Sequence, residues 1–265
     1  MPIPAPSVAV VGATGAVGRE MLSVLEQRRF PHASLRAFAS PKSAGEKLPY
    51  RDGHLTVEAL VPGALEGIDI GLFSAGSSIS KQYGPAAASA GMVVIDNSSA
   101  FRMETGIPLV VPEVNAPAMA SIVAANRSAR ERGEGRTRVG GIIANPNCST
   151  IIMLVALDPI RRAFGIDRII VSTYQAASGA GAKGMDELDR QTRAVLAGNP
   201  AVPEFFHEPY AFNLFSHNTA VDPESGQNVE EKKMIEESRK IWSDPDLRLS
   251  PTCIRVPVLR AHSEL

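Results

Sequence analysis

Short apolar runs rich in β-branched residues recur through the first half of the chain, each closed by small or polar residues, and this spacing predicts strands alternating with helices. The first run covers residues 7–11, passes through Gly12, Ala13, Thr14, Gly15, Ala16, Val17 and Gly18, and leads into a helix expected over 19–27. Further strands are expected at 35–39, 68–73 and 92–95, with a helix of small residues around 86–90 before the last of these. An apolar approach at 141–144 then runs through Asn145, Pro146, Asn147, Cys148, Ser149 and Thr150 into an apolar helical run at 151–157. Beyond this point the alternating units give way to a different pattern. A strand at 166–174 leads into a glycine-rich loop at 175–181, and a helix follows over 183–196. Residues 199–215 hold three prolines and four of the nine phenylalanines, which predicts an irregular segment packed by its own aromatics. A charged amphipathic helix is expected over 228–242, and a last strand over 253–258. There, alternation sets Arg255 on the face opposite Ile254 and Val256, either in solvent or in a site.

The expected fold class is α/β: a Rossmann-type domain over residues 1–144, followed by an α+β domain over 145–265. Composition adds exclusions more than identity. With 265 residues, 44% apolar and 21% charged, the chain has material for a sizeable core. Net charge is -1 with no long polybasic block, so no nucleic-acid partner is expected, and no apolar run approaches the ~20 residues that cross a bilayer. Two cysteines without metal-ligand spacing suit a reducing compartment, and residues 1–7 lack the order of a signal peptide; a cytoplasmic location and no metal are expected. Residues 127–138 are charged, glycine-punctuated and free of large apolar side chains, as a mobile surface insertion would be.

Five stretches carry candidate chemistry. A strand, a glycine turn and a helix form the dinucleotide-binding arrangement, in which glycines let the backbone approach a pyrophosphate at the helix N-terminus. At the end of the second strand, where an acid would accept from an NAD ribose hydroxyl, stand Ser40, Pro41, Lys42 and Ser43. A cation and hydroxyls there favour NADP, unless Lys42 is simply solvated. Ser74, Ala75 and Gly76, and then Asn97, follow later strand ends, where open α/β sheets bind ligands, and Arg102 beyond them is either solvated or holds an anion. Cys148 opens a helix, where free N–H groups and the dipole favour thiolate, or it is a small buried hydrophobe.

Seven motifs in order, G-A-T-G-A-V-G at Gly12, S-A-G-S at Ser74, D-N-S-S-A-F-R at Asp96, N-P-N-C-S-T at Asn145, Y-Q-A-A-S-G-A-G at Tyr174, N-V-E-E-K-K at Asn228 and R-V-P-V-L-R-A-H at Arg255, resemble aspartate-β-semialdehyde dehydrogenase. The resemblance implies a homodimeric or larger enzyme that reduces L-aspartyl 4-phosphate to L-aspartate 4-semialdehyde with NADPH, on the route to lysine, threonine and methionine. By the same resemblance Cys148 is the nucleophile that forms a thioester, His262 the acid/base and Gln175 the group that orients the intermediate. Arg255 holds the substrate carboxylate as a fork, Glu230 its ammonium, and Arg102 and Lys233 its phosphate, with Asn147 in the same substrate-binding set. Ser178 and Gly179 join the glycine turn in holding NADP.

Chains of this family continue for several tens of residues beyond the histidine, whereas this sequence stops at Leu265. The second domain is therefore expected to be incomplete, with a sheet edge left unpaired. One alternative follows from this: a catalytically silent chain that at most binds nucleotide or a full-length subunit. Another alternative, an N-acetyl-glutamyl-phosphate reductase, has an uncharged substrate amide, against which the acidic Glu230 argues.

Overall fold

A computed structural model of the chain describes residues 5–131 and 139–265. They form two compact units, Met1–Pro146 and Asn147–Leu265. Unit 1 runs β1 (Ser7–Val11), α1 (Ala16–Gln27), β2 (Ser34–Ala39), β3 (Lys47–Tyr50), β4 (Gly53–Ala59), β5 (Ile70–Phe73), α2 (Ser77–Ser89), β6 (Val93–Asp96), α3 (Pro112–Asn115), α4 (Ala120–Glu131) and β7 (Gly141–Ala144). Its sheet has the order β3-β4-β2-β1-β5-β6-β7, parallel throughout except for β3, which pairs antiparallel with β4. Strand β1 is apolar at every position after Ser7 because both faces of the sheet are covered. Val8 and Val10 pack with Leu22 and Leu25 of α1, while Ala9 and Val11 pack with Phe38, Phe73 and Ala87. The chain leaves β1 toward β2 on one side and has β5 on the other. The carboxyl ends of β1 and β5 thus flank the point where strand order reverses, which is where such sheets take ligands.

The hairpin of β3 and β4 is absent from the sequence reading, and α2 begins at Ser77, nine residues ahead of the small-residue stretch at 86–90. Gly84 and Pro85 lie inside that helix without ending it. A side chain at Gly84 would meet the Phe101 ring at 3.2 Å, so the glycine serves close packing. Of the charged stretch 127–138, the part up to Glu131 continues helix α4; the remainder lies outside the described residues.

Unit 2 runs α5 (Cys148–Phe164), β8 (Ile169–Gln175), α6 (Gly181–Leu196), β9 (Phe215–Ser216), α7 (Val229–Trp242), β10 (Leu249–Arg255) and β11 (Ser263–Glu264). Its sheet has the order β11-β8-β10-β9, with β8 and β10 parallel. Helix α7 starts with a full capping box: the Asn228 side chain accepts from Glu231 N, and the Glu231 carboxylate accepts from Asn228 N. The other Glu231 oxygen accepts from Cys253 N at 2.9 Å, which ties the helix to β10. Residues 199–215 are irregular, as expected, and their aromatics close on one another. Phe206 makes edge contacts with Phe205, Tyr210 and Phe215. Polar side chains of α6 hold that backbone: buried Glu187 accepts from the N–H groups of Glu204, Phe205 and Phe206, and Gln191 accepts from those of Tyr210 and Ala211. The edge of β8 is partly covered, because Ser263 and Glu264 pair with Tyr174 and Thr173, and Leu265 exchanges backbone hydrogen bonds with Ser172.

Candidate functional site

In unit 1 the turn after β1 is built so that only glycine fits. Gly12 has φ +86°, and a Cβ on it would lie 2.6 Å from the Ser74 carbonyl oxygen; a Cβ on Gly18 would lie 2.2 Å from the Gly12 oxygen. The turn therefore packs directly against the loop after β5, and α1 against the turn. Helix α1 is N-capped by Gly15, which has no side chain to satisfy the first-turn N–H groups. Ala16, Val17 and Gly18 thus present an uncapped helix start, and Thr14 accepts from Arg19 Nε through its carbonyl. This cradle fits a dinucleotide pyrophosphate. Gly76 has φ +88° and open space above its α-carbon, beside Ala75. Ser40 caps a short turn at Pro41–Ser43 in which Lys42 is exposed.

The loop after β6 is braced from within. Buried Asp96 accepts from the hydroxyls of Ser80 and Ser98, and Asn97 Oδ1 accepts from Asn145 Nδ2 at 2.6 Å. Arg102 is buried, and its guanidinium donates to the carbonyls of Ser98 and Asn97 at 3.1 Å each. Its solvated alternative does not hold: the side chain folds back over the loop.

In unit 2 Cys148 is the first residue of α5 and is exposed, so its buried-hydrophobe alternative fails, whereas Cys253 is buried and pushed up to about 12 by that burial. The residue before it does most of the holding. Asn147 caps α5, its Oδ1 accepting from Ser149 N at 2.9 Å and Thr150 N at 3.3 Å. Its Nδ2 donates to Glu230 Oε1 at 2.7 Å, and its backbone N–H donates to Glu237 Oε2 at 2.6 Å. Two buried carboxylates of α7 therefore grip the entry to α5. Lys233 completes the set, donating to Glu230 Oε2 at 3.2 Å. Burial by itself raises the Glu230 carboxyl, but His217, Lys233 and the Asn147 amide outweigh it and leave it lowered. Glu230 and Lys233 are thus not a solvated surface pair. Gln175, fully buried at the end of β8, donates to Ser149 Oγ at 3.1 Å and Thr173 Oγ1 at 3.3 Å.

The glycine-rich loop after β8 receives the second group. His262 Nδ1 accepts from Ala176 N at 3.0 Å, so the neutral ring carries its proton on Nε2. Burial, then the charge of Arg255, lowers the pKa of His262 against a weaker pull from Glu230, and the ring is neutral at pH 7. Arg255 lies in the core, 2% exposed, which settles its alternation in favour of a buried position. Strand β10 ends at this residue, before Val256. The guanidinium donates to the Ala176 carbonyl, His217 Nε2 and Asn218 Oδ1 at 2.8, 2.8 and 2.9 Å, and its Nε has no partner. No carboxylate of the described residues lies within ion-pair distance of it, yet it is within electrostatic reach of Cys148. Gly179 lies against both groups: a Cβ there would be 3.0 Å from His262 Nε2 and 3.2 Å from Arg255 Nη1. Ser178 N donates to the Leu259 carbonyl, which fastens this loop to the segment that carries His262.

His217, Asn218 and Glu237 were missed by sequence reasoning. His217 is one of five histidines, directly after the two-residue β9, and its flanks Ser216 and Asn218 gave no motif. Burial first of all brings its pKa down to about 4, so it too is neutral at pH 7. Among the described residues no group of three or more ligating side chains could hold a metal, and no helix is long and apolar enough to cross a membrane.

Two family models match the chain: semialdehyde dehydrogenase, NAD binding domain, over residues 7–122, and semialdehyde dehydrogenase, dimerisation domain, over 157–265. Aspartate-semialdehyde dehydrogenase of Synechocystis sp. is 47% identical over 257 residues, covering 97% of this chain and 71% of the relative. The Bacillus subtilis protein of that name is 46% identical over 264 residues, with the same two coverages. A crystal structure of aspartate semialdehyde dehydrogenase II from Vibrio cholerae, complexed with ASA, superposes with a TM-score of 0.87 at 45% identity, covering 98% of this chain and 73% of that one. The alternative of a silent chain has no support in this pattern, since the relatedness runs through both units. Unit 1 is a Rossmann-type nicotinamide-dinucleotide domain, unit 2 carries the dimerisation-domain sequence, and the chain belongs to the aspartate-semialdehyde dehydrogenase family of oxidoreductases.

Proposed function

We propose that the chain catalyses the NADPH-dependent reductive dephosphorylation of L-aspartyl 4-phosphate to L-aspartate 4-semialdehyde through a thioester on Cys148, a step toward lysine, threonine and methionine. The observation that carries this reading is the buried Arg255, without a carboxylate of its own, beside His262 and within electrostatic reach of Cys148. A cation desolvated in this way is costly unless a ligand anion completes it.

Cys148 attacks the acyl carbon, the carbonyl oxygen becomes an oxyanion, and collapse expels phosphate and leaves the thioester. Its place at the start of α5 sets Cys148 at the positive end of the helix dipole, which favours the thiolate. Cys148 reacts as the thiolate, and His262, a neutral ring with its proton on Nε2, donates that proton to the phosphate oxygen as the acyl–oxygen bond breaks. Gln175 fixes the strand end against Ser149 and orients the adduct. Glu230, held ionised by Asn147 and Lys233, takes the substrate ammonium, and Arg255 takes the α-carboxylate. Lys233, and on unit 1 Arg102, keep the phosphate-binding roles that the resemblance assigns. Gly12, Thr14, Gly15, Ala16, Val17, Gly18, Ser74, Ala75, Gly76 and Asn97 of unit 1 would hold the dinucleotide, with Ser40, Lys42 and Ser43 at a 2′-phosphate; Ser178 and Gly179 of unit 2 keep their expected part. When bound, the reduced nicotinamide supplies the hydride that converts the thioester to a thiohemiacetal. Cys148 then leaves as thiolate and the aldehyde is released.

A homodimer is part of this reading. Ile152, Ile160, Phe164 and Ile170 are 40, 48, 86 and 67% exposed on unit 2, an apolar set that a second copy would cover. The test is phosphate-dependent reduction of NADP by L-aspartate 4-semialdehyde, for the wild type and for Cys148→Ala. The expected result is activity in the wild type and its loss in the variant; equal rates remove Cys148 from the mechanism.

A further inference from the structure

Arg255 meets its surroundings through a set of hydrogen bonds that constrains how it can meet a ligand. Every two-pronged approach of a carboxylate to a guanidinium uses a hydrogen on Nη2, paired with one on Nη1 or on Nε. In this structure both Nη2 hydrogens are engaged, one by His217 Nε2 at 2.8 Å and one by Asn218 Oδ1 at 2.9 Å. One Nη1 hydrogen goes to the Ala176 carbonyl, and the Nε hydrogen is buried without a partner. A single Nη1 hydrogen is left over, on a nitrogen that lies 3.2 Å from where a Cβ on Gly179 would sit.

The two acceptors on Nη2 differ in kind. His217 is buried and anchored: its N–H donates to the Cys253 carbonyl at 2.9 Å, its carbonyl accepts from Thr219 N at 2.7 Å, and its Nδ1 faces Thr219 Oγ1 at 3.3 Å. Because arginine offers only donors, the His217 ring must accept at Nε2 and carry its own proton on Nδ1. Asn218 is exposed, and among the described residues its amide oxygen accepts from the guanidinium alone. One acceptor is part of the wall; the other can swing away.

We propose that His217 and Asn218 are positioning residues for Arg255, His217 as the fixed holder of one Nη2 hydrogen and Asn218 as a stand-in for the ligand's carboxylate, which displaces its amide oxygen to complete the two-pronged contact. The ligand identity rests on the function proposed above; the device requires only that the ligand be a carboxylate. It keeps the buried guanidinium satisfied between turnovers and makes carboxylate binding an exchange of one acceptor for another. The exchange favours the carboxylate, because a charged acceptor makes the stronger bond.

Two readouts test this, one of them independent of turnover. The first is the ratio of Cys148 alkylation rates by iodoacetate and by iodoacetamide, reagents alike except for the carboxylate. Asn218→Ala removes the competitor, so the ratio rises and the KM for aspartate semialdehyde falls, each about threefold or more, at a kcat within about twofold of wild type. His217→Leu frees the guanidinium from its holder and raises KM about tenfold, and His217→Gln, which keeps an acceptor, restores most of that loss. An Asn218→Ala protein with both ratio and KM unchanged overturns the inference. If the wild type turns over aspartate semialdehyde and neither readout moves, the inference falls and the proposed function stands. If the wild type does not turn it over but the alkylation ratio rises in Asn218→Ala, the carboxylate device stands and the proposed function falls. Failure of both together removes both.

Discussion

Gly179→Ala isolates the geometry that joins Arg255 to His262. The added Cβ would sit 3.0 Å from His262 Cε1 and Nε2 and 3.2 Å from Arg255 Nη1. Carbon contacts are at their best near 3.5–4.0 Å, so one or both neighbours must retreat by about 0.5–1 Å. Neither is free to do so. The ring is tied at Nδ1 to Ala176 N, and the guanidinium is tied to Ala176, His217 and Asn218. A misplacement of about 1 Å at a reacting group can cost about 100-fold in rate, or about 2.7 kcal/mol of barrier. Overpacking should cost folding about 1–3 kcal/mol besides. Gly179 is not among the positive-φ glycines, so alanine suits the backbone there and the effect is steric. Gly181→Ala provides the contrast: φ is +76° and ψ −165°, a region kept almost wholly by glycine, with nothing within 4 Å of the added atom, so it should lose about 1–3 kcal/mol of stability to backbone strain and keep its turnover. Steady-state kinetics with aspartate semialdehyde, beside denaturant melts of both variants, would check this. A Gly179→Ala enzyme with kcat/KM within about threefold of wild type would refute the claim that His262 and Arg255 are held against this glycine.

Asn147→Ala should lose about 1 kcal/mol as the cap of α5 goes, plus about 1–3 kcal/mol as Glu230 loses a buried donor. Urea unfolding measures the sum, and a loss under about 0.5 kcal/mol would contradict the cap. Glu264 is pushed up to about 7 by burial, against a smaller lowering pull from Ser149. Between the ordinary carboxyl value of 4.5 and about 7 the folded chain therefore binds more protons than the unfolded one, so stability falls as pH rises through that window. Glu264→Gln should flatten the dependence and melt higher than wild type at pH 8; parallel melting curves from pH 5 to 8 would remove the assignment. Lys42→Glu puts an acid where the turn after β2 now offers a cation, and should lower the NADP-over-NAD ratio of kcat/KM at least about tenfold. An unchanged ratio would leave Lys42 a solvated side chain.

What the sequence made legible was local. The turn after β1, the cap and start of α5 and the amphipathic α7 are each written within about ten consecutive residues, and each appears close to its expected place. The β3–β4 hairpin was not, because Lys47–Tyr50 carries a proline and alternates over only four residues, too short a stretch for a period to show. Helix α2 was read short because its first turns are Ser, Lys and Gln, and because Gly84 and Pro85 mimic an end. Tertiary packing against Phe101 overrides that local signal.

The candidate site divides in the same way, and the division follows from the physics of charge burial. Residues proposed to face a ligand, Cys148, Gln175, Glu230, Arg255 and His262, can be matched by motif, because the chemistry of the proposed ligand fixes their type. Residues that hold those groups answer only to what lies beside them in the fold. Glu237 reaches Asn147 across 90 positions, and His217 and Asn218 reach Arg255 across 38 and 37. Any acceptor of suitable reach would serve at these places, so no residue pattern announces them. A buried guanidinium nevertheless demands them, since each unsatisfied donor carries a desolvation cost of about 1–3 kcal/mol or more. Recognising Arg255 as buried is therefore enough to require acceptors around it. Only the structure names His217 and Asn218 as those acceptors, and so turns a matched motif into a testable arrangement of hydrogen bonds.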